Sequence, residues 1–141
     1  MIWESGFLVN PSSINDGNWL IAVKSNSGIV GGIQPIAVGI AMAIKRANKK
    51  YKVVCHVGDM TSESGIFHEC YKYSTNHELP ILWVIEDNNK SVCTPTRDVW
   101  NSKKLSWEPE NYEGGVVKIC HNALYFKYNS KNLTSHISHL T

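Results

Sequence analysis

The segments YKVVCHVGD, residues 51–59, and PILWVIEDNN, residues 80–89, decide the fold of this chain. Each starts with an apolar run of strand length and ends in polar and turn-forming residues. Neither run alternates cleanly between apolar and polar residues, which is typical of strands covered on both faces of a parallel sheet. The stretch between them, Glu63 to Asn76, is long enough for a helix. This order predicts an α/β fold, a parallel sheet flanked by helices.

We expect a second helix upstream of the first strand. The glycine-rich turn GIVGG at residues 28–32 precedes a small and apolar run of helical length from Ile36 to Ala47. Because this run contains no polar residue before Lys45, we expect the helix to be deeply buried.

Composition divides the chain into three parts. Residues 1–24 mix aromatic and polar residues without clear periodicity, so we predict an irregular lead-in there. Residues 25–128 form the α/β domain, which we expect to end in two short strands over residues 115–120 and 123–128. Residues 129–141 are rich in Ser, Asn and His and form a polar tail.

Charge and hydropathy narrow the classes of function. A net charge of +2, with lysines spread along 141 residues, provides no basic stripe for nucleic acid or an anionic membrane. The longest apolar run is about half of the roughly 20 residues of a membrane helix, and the first residues lack the basic start of a signal peptide. We therefore expect a soluble, cytoplasmic protein whose four widely spaced cysteines are free thiols.

Polar residues follow both predicted strands. Asp59 follows Gly58, and Asn88 lies in the sequence EDNN. Because the carboxyl ends of neighbouring parallel strands meet at one edge of a sheet, these side chains should lie side by side. A carboxylate, a carboxamide and a nearby main-chain carbonyl suit Mg²⁺ and leave positions for phosphate oxygens and water. From these two loops alone, a helix cap at Asp59 and a turn at Asn88 explain the residues equally well.

Two motifs in register resolve this ambiguity. Gly58-Asp59, followed one helix and one strand later by Asp87-Asn88-Asn89, resembles the fingerprint of thiamine diphosphate enzymes, Gly-Asp-Gly and then Asn-Asn. Upstream, residues 27–32 with Pro35 resemble the glycine-rich segment of alpha subunits of 2-oxo-acid dehydrogenases. Met60 replaces the third glycine of the fingerprint and narrows the space beside the diphosphate.

The resemblance implies a shortened pyrophosphate-binding domain of the thiamine diphosphate-binding fold. Its cofactors would be thiamine diphosphate and Mg²⁺, and no catalytic side chain is expected in this chain. The activating glutamate would come from a beta-type subunit or from a second thiamine-binding domain. The implied metal ligands are Asp59, Asn88 and the main-chain oxygen of Lys90, and the implied cofactor-binding residues are Gly28, Val30, Gly58, Asp59, Met60, Thr61, Asn88 and Lys90.

The implied function is that of the alpha-type component of a 2-oxo-acid dehydrogenase-like enzyme, acting with its partner in an oligomer on a 2-oxo acid. A transketolase-like domain that transfers two-carbon units from a ketose is an alternative, because Glu86 and Asp87 before Asn88 also resemble the transketolase loop. A noncatalytic remnant serving as an interaction module is another, given the short chain and Met60.

Other chemically capable residues have simpler explanations. His136 and His139 lack a third ligand at suitable spacing. His56 lies on an apolar strand, where a packed and hydrogen-bonded histidine is the favoured interpretation. Cys93 follows the predicted magnesium loop, but thiamine chemistry needs no protein thiol, so we interpret it as small buried filler.

Overall fold

The protein is described by a computed structural model over residues 7–9, 19–23, 29–110, 115–120 and 122–128. Six strands form one sheet in the order β1-β2-β3-β4-β8-β7, and β5 and β6 form a hairpin. In chain order the elements are β1 (Phe7–Val9), β2 (Trp19–Val23), α1 (Ile33–Arg46), β3 (Tyr51–Gly58), α2 (Asp59–Ser62), α3 (Gly65–Asn76), β4 (Ile81–Asp87), β5 (Lys90–Ser91), β6 (Thr94–Pro95), α4 (Thr96–Val99), β7 (Gly115–Cys120) and β8 (Ala123–Lys127).

The centre of the sheet is parallel. β2, β3, β4 and β8 run in the same direction, as the two defining segments predict, whereas β1 and β7 add antiparallel edges. The prediction of an irregular lead-in over residues 1–24 is wrong, because β1 and β2 lie within this range. β2 pairs with β3, far along the chain, and such pairing leaves no local periodicity to recognise. The two short strands predicted near the end are confirmed as β7 and β8.

A glycine turn directs the chain into α1. Gly31 has a φ of 82°, and a Cβ at this position would lie 2.6 Å from Ile66 Cγ2, so both the conformation and the space require glycine. α1 then begins at Ile33, three residues before the predicted start. Near its end the Lys45 Nζ donates a hydrogen bond of 2.6 Å to the carbonyl oxygen of His77, which ties α1 to the end of α3.

The expected deep burial of α1 is wrong. Only one side of the helix is buried, and Ile36 on another side is 52% exposed. The sheet and α3 pack against one side of α1. The buried residues of the helix are Gln34, Ala37, Val38, Ala41 and Ile44.

α1 and α3 pack on the same face of the sheet. Both connect neighbouring parallel strands in succession, and right-handed crossovers in one direction place their helices on one face. Phe67 of α3 meets Trp83 of β4 there, with ring centroids 5.3 Å apart. The opposite face is half-buried at Val54 and Val84, and no described helix covers it. The described helices α1 and α3 therefore account for the cover of one face.

The predicted helix over residues 63–76 is confirmed as α3, which begins two residues later than predicted, and an additional short helix, α2, precedes it. The short α2 follows β3 directly, and Ser64 stands at the start of α3. None of the helices among the described residues is both long and apolar enough to cross a membrane.

Candidate functional site

The carboxyl ends of β3 and β4 lie side by side. Their register pairs Gly58 with Glu86, so the next residues along each strand, Asp59 and Asp87, are neighbours. The first turn of α2 packs against β4 and β5. The structure thus brings two segments to one edge of the sheet, where parallel sheets bind ligands. They are residues 58–61, called the Asp59 loop below, and residues 87–90, called the Asn88 loop.

Asp59 is a buried acidic group at this edge. It is 2% exposed, and its Oδ1 accepts a 2.9 Å hydrogen bond from the Met60 amide. Its Oδ2 is buried and has no hydrogen-bond partner among the described residues. Burial, together with the neighbouring Asp87, raises the pKa of Asp59 to about 6, against the lowering effects of the Thr96 hydroxyl and the Met60 amide. A cation would favour the charged form of this carboxyl group.

Asn88 and Lys90 lie on the adjoining loop. Asn88 is half-buried, and its Oδ1 accepts a 3.0 Å hydrogen bond from the Lys90 amide. A carboxamide oxygen has two lone pairs, so this bond leaves capacity for a cation. The Lys90 side chain is exposed at the start of β5, so a role for this residue would rest on its main chain.

The remaining predicted cofactor-binding residues differ in their surroundings. Gly58 is exposed and extended, with φ −70° and ψ 155°, before the chain enters α2. Met60 and Thr61 follow within α2 and are half-buried. Val30 is 67% exposed at the turn before α1. Gly28 lies outside the described residues.

Asp87, which stands where the fingerprint has its first asparagine, is buried at the base of the Asn88 loop. Its carboxylate accepts hydrogen bonds from both terminal nitrogens of Arg97, from the Tyr125 hydroxyl and from the Asn89 amide. Burial opposes its ionisation, but these hydrogen bonds outweigh that effect and lower the pKa of Asp87 to about 2. Asp87 is therefore a stable anion at the base of the Asn88 loop.

Thr96 and Tyr128 also belong to the site, although neither was predicted. The Thr96 hydroxyl is buried without a hydrogen-bond partner in the described part of the chain, and it influences the pKa of Asp59. Burial raises the pKa of the Tyr128 phenol, as do the carboxylates of Glu86 and Asp59, whereas the Asn88 side chain lowers it. No local pattern distinguishes these residues, because only the hairpin and β8 bring them to this edge.

The residues with simpler explanations differ in outcome. The Nδ1 of His56 lies 2.6 Å from Glu86 Oε1, so the interpretation of His56 as a hydrogen-bonded strand histidine is confirmed. Cys93 is a free thiol, but it is exposed, so its interpretation as buried filler is wrong. Cys55 and Cys70 are free and buried. His136 and His139 lie outside the described residues.

The donor set fits a hard cation. A buried carboxylate oxygen without a partner lies beside a loop that carries a carboxamide, and such oxygen ligands suit Mg²⁺. In the described ranges no group of three or more His, Cys, Asp and Glu side chains could hold a metal ion. The arrangement can therefore provide part of an oxygen coordination sphere, with positions left for a ligand's own oxygens.

The chain is similar to known dehydrogenase subunits. It is 27% identical over 96 residues to the mitochondrial 2-oxoisovalerate dehydrogenase subunit alpha of Homo sapiens and of Mus musculus, which covers 68% of this chain and 22% of those proteins. It is 31% identical over 67 residues to the pyruvate dehydrogenase E1 component subunit alpha of Staphylococcus aureus strain COL, which covers 48% of this chain and 18% of that protein. The chain thus spans about a fifth of the length of these curated relatives.

The match to a whole family extends over most of the domain. The profile of the family described as "Dehydrogenase E1 component" matches residues 14–113, a range that includes the glycine turn, the Asp59 loop and the Asn88 loop. The resemblance to alpha subunits of 2-oxo-acid dehydrogenases is confirmed by this match and by the relatives. This chain belongs to the dehydrogenase E1 component family.

Proposed function

We propose that this chain binds magnesium thiamine diphosphate as the alpha-type component of a dehydrogenase that acts on a 2-oxo acid. The observation that carries the proposal is the buried Asp59 carboxyl group, whose Oδ2 has no hydrogen-bond partner among the described residues. It lies beside the Asn88 loop in a chain of the dehydrogenase E1 component family. The relatives named for 2-oxoisovalerate and for pyruvate support a 2-oxo acid as the class of substrate.

The proposed magnesium ligands are Asp59 Oδ2, the side-chain oxygen of Asn88 and the main-chain oxygen of Lys90. The buried position of Asp59 strengthens its attraction for a cation, because the effective dielectric constant is lower than in water. The residues proposed to contact the cofactor are Gly58, Met60 and Thr61 on the diphosphate side, and Gly28 and Val30 on the aminopyrimidine side.

Thiamine diphosphate, when bound, supplies the carbon nucleophile and the electron sink for cleavage beside a 2-oxo group. The contribution of this chain is to hold the metal and to orient the diphosphate. Met60 lies in α2, and its main-chain amide donates a hydrogen bond to the Asp59 carboxylate. Its side chain adds bulk where the family pattern has glycine. We expect this bulk to weaken cofactor binding relative to a glycine at the same position.

A beta-type partner is part of the proposal. Ile29 and Val30 are 72% and 67% exposed at the glycine turn, and Val92 and Trp100 are 96% and 46% exposed beside the Asn88 loop. Exposed apolar side chains near a candidate site are typical of surfaces that a second chain covers. The relatives are named as alpha subunits, which agrees with a requirement for a complementary subunit.

The decisive experiment is purification of the chain with its co-purifying proteins, followed by mass spectrometry for a partner and for retained thiamine diphosphate. Binding of thiamine diphosphate should require Mg²⁺ and should be lost in Asp59→Asn, which preserves side-chain volume. Asp98→Asn replaces an exposed acid on α4 and should bind like the wild type. Equal binding by Asp59→Asn and the wild type would contradict the assignment of the metal ligand.

The same preparation separates the alternatives. Turnover of ketose phosphates, without turnover of 2-oxo acids, would favour the transketolase-like domain. Failure to bind the cofactor with every candidate partner would favour a noncatalytic interaction module, for which the bulk of Met60 is the supporting feature.

A further inference from the structure

One guanidinium group holds both neighbours of Asn88. Arg97 Nη1 and Nη2 donate to the Asp87 carboxylate at 3.1 and 2.7 Å, and Nη1 also donates to Asn89 Oδ1 at 3.1 Å. The main-chain amide of Arg97 donates to the same Asn89 oxygen at 3.2 Å. Asn88 therefore lies between two residues that are both fastened to Arg97.

The guanidinium group is itself fixed by other elements. Glu108 Oε2 accepts from Arg97 Nη2 at 2.7 Å, and Glu108 Oε1 accepts from Lys127 Nζ at 2.5 Å. The Arg97 side chain is only 15% exposed, so it is not a freely rotating surface arginine. Contacts from α4, from the segment before β7 and from β8 thus converge on the base of the Asn88 loop.

Hydrogen bonds fix the backbone of the loop. Asn89 has a φ of 57°, in the left-handed region that asparagine adopts more readily than most L residues. Its amide donates to Asp87 Oδ1 at 2.9 Å, and its carbonyl oxygen accepts from the Thr96 amide at 3.2 Å. These bonds keep Asn89 in the conformation that presents Asn88 at the edge of the sheet.

We propose that Arg97 is a positioning residue. By hydrogen-bonding to both Asp87 and Asn89, it orients the Asn88 side chain at the candidate metal site. The consequence for metal binding rests on the proposed function, whereas the effect on the loop does not. Lysine cannot replace Arg97 in this role, because a single ammonium group cannot reproduce the planar fork that reaches both partners.

The first test measures hydrogen exchange of the full chain without cofactor. In Arg97→Lys, the amides of Asn89, Lys90 and Thr96 should exchange at least about tenfold faster, since their local opening becomes easier. Core amides of β3 and β4 should exchange as in the wild type, because the positive charge is retained. Wild-type protection of the loop amides, or faster exchange throughout the core, would overturn the positioning role.

The second test titrates Mg²⁺ at fixed thiamine diphosphate, with the partner present. Loss of a group that hydrogen-bonds directly to a metal ligand typically lowers metal affinity by about 10- to 100-fold. Arg97 acts one residue further out, through Asp87 and Asn89, so the half-saturating Mg²⁺ concentration should rise by about 10-fold or less in Arg97→Lys. Saturating Mg²⁺ should restore cofactor binding. Arg46→Met, which removes an exposed arginine at the end of α1, should match the wild type. An unchanged Mg²⁺ requirement in Arg97→Lys would contradict the proposal.

A double substitution tests whether Arg97 acts through Asn89. Asn89→Gly removes the accepting oxygen while glycine tolerates the positive φ, so it should increase the Mg²⁺ requirement and the exchange of the Lys90 amide. The effect of the double variant Asn89→Gly/Arg97→Lys should be smaller than the product of the two single effects, because both substitutions remove the same contact. If even the wild type shows no Mg²⁺-dependent binding, the proposed function fails, and hydrogen exchange alone decides the role of Arg97.

Discussion

Asp59 is a carboxyl group whose folded environment opposes its own ionisation. It is almost fully buried, it lies beside the stable anion Asp87, and one of its oxygens has no hydrogen-bond partner among the described residues. A folded protein without ligand gains nothing from such a group, whereas a bound cation would compensate its charge. Asp59 is thus a residue at which binding capacity is retained at a cost in stability.

Asp59→Asn should therefore stabilise the chain in the absence of cofactor. The pKa of Asp59 is raised from 3.8 to about 6 on folding, so the unfolded chain releases this proton first as the pH rises. Wild-type stability falls between about pH 4 and pH 6, and the substitution removes this loss, worth about 1 to 3 kcal/mol above pH 6. Urea unfolding across this pH range measures the difference.

Asp98 on α4 provides the control. Asp98→Asn removes an exposed carboxyl group and should change the free energy of unfolding by less than about 0.5 kcal/mol at every pH. A destabilisation by Asp59→Asn at neutral pH would show that the charged carboxylate stabilises the fold.

At the scale of elements, the irregular segment of residues 100–110 packs against the helices α2 and α3. Residues 100–110 contain neither helix nor strand, yet Trp107 packs against Phe67 and Tyr71 of α3, with ring centroids 5.2 and 4.8 Å apart. The Trp107 Nε1 donates a 2.9 Å hydrogen bond to the carbonyl oxygen of Ser62 in α2. The segment therefore joins α2 and α3 to the charged network around Arg97.

Trp107→Ala should destabilise the fold by about 2 to 3 kcal/mol, near the lower end for a buried aromatic residue, since Trp107 is half-buried. Trp100→Ala in the same region removes a side chain that is 46% exposed and should cost less than about 1 kcal/mol. Urea unfolding of both variants provides the comparison. Equal costs would show that the aromatic cluster of α3 does not anchor the segment.

The glycine turn and α1 give opposite predictions for the same substitution. Gly31→Ala should cost about 1 to 3 kcal/mol, because the φ of 82° strains alanine and its Cβ would meet Ile66. Gly39→Ala lies inside α1 with open space around it and should stabilise by up to about 1 kcal/mol. Thermal unfolding distinguishes the two, and a stabilising Gly31→Ala would disprove the turn geometry.

At the scale of the whole molecule, the sheet has one covered face and one half-buried face. Val53, Val57 and Trp83 are fully or almost fully buried beneath α1 and α3. Val54 and Val84 point to the other face and are only half-buried, and His56 and Glu86 lie on the same face. A parallel sheet is usually covered on both sides.

Neighbouring valines of β3 test how different the faces are. Val53→Ala should cost about 2 kcal/mol, because it leaves a cavity in the covered core, whereas Val54→Ala should cost less than about 1 kcal/mol. Denaturant unfolding of the isolated chain measures both values. Equal costs would mean that the second face is covered in solution.

The predictable part of the molecule consists of its continuous apolar segments. β3 and β4 were recognisable because strand runs end in Gly58 and Asp87, and α1 because a glycine turn precedes an apolar run. β1 and β2 were missed because partners elsewhere in the chain stabilise them. Thr96, Arg97 and Tyr128 were missed because their function depends on which elements the fold brings beside β4.

The sequence by itself determined the order of the central strands and helices, the two polar loops at their ends and the resemblance to a family. These features follow from local periodicity and motif spacing, which require no knowledge of distant contacts. Only the tertiary structure decided three features: Asp59 is buried with an oxygen that has no partner among the described residues, the negative charge of Asp87 is paired with Arg97, and one face of the sheet is half-buried. Burial and pairing arise from groups far apart in sequence, and packing alone sets their distances.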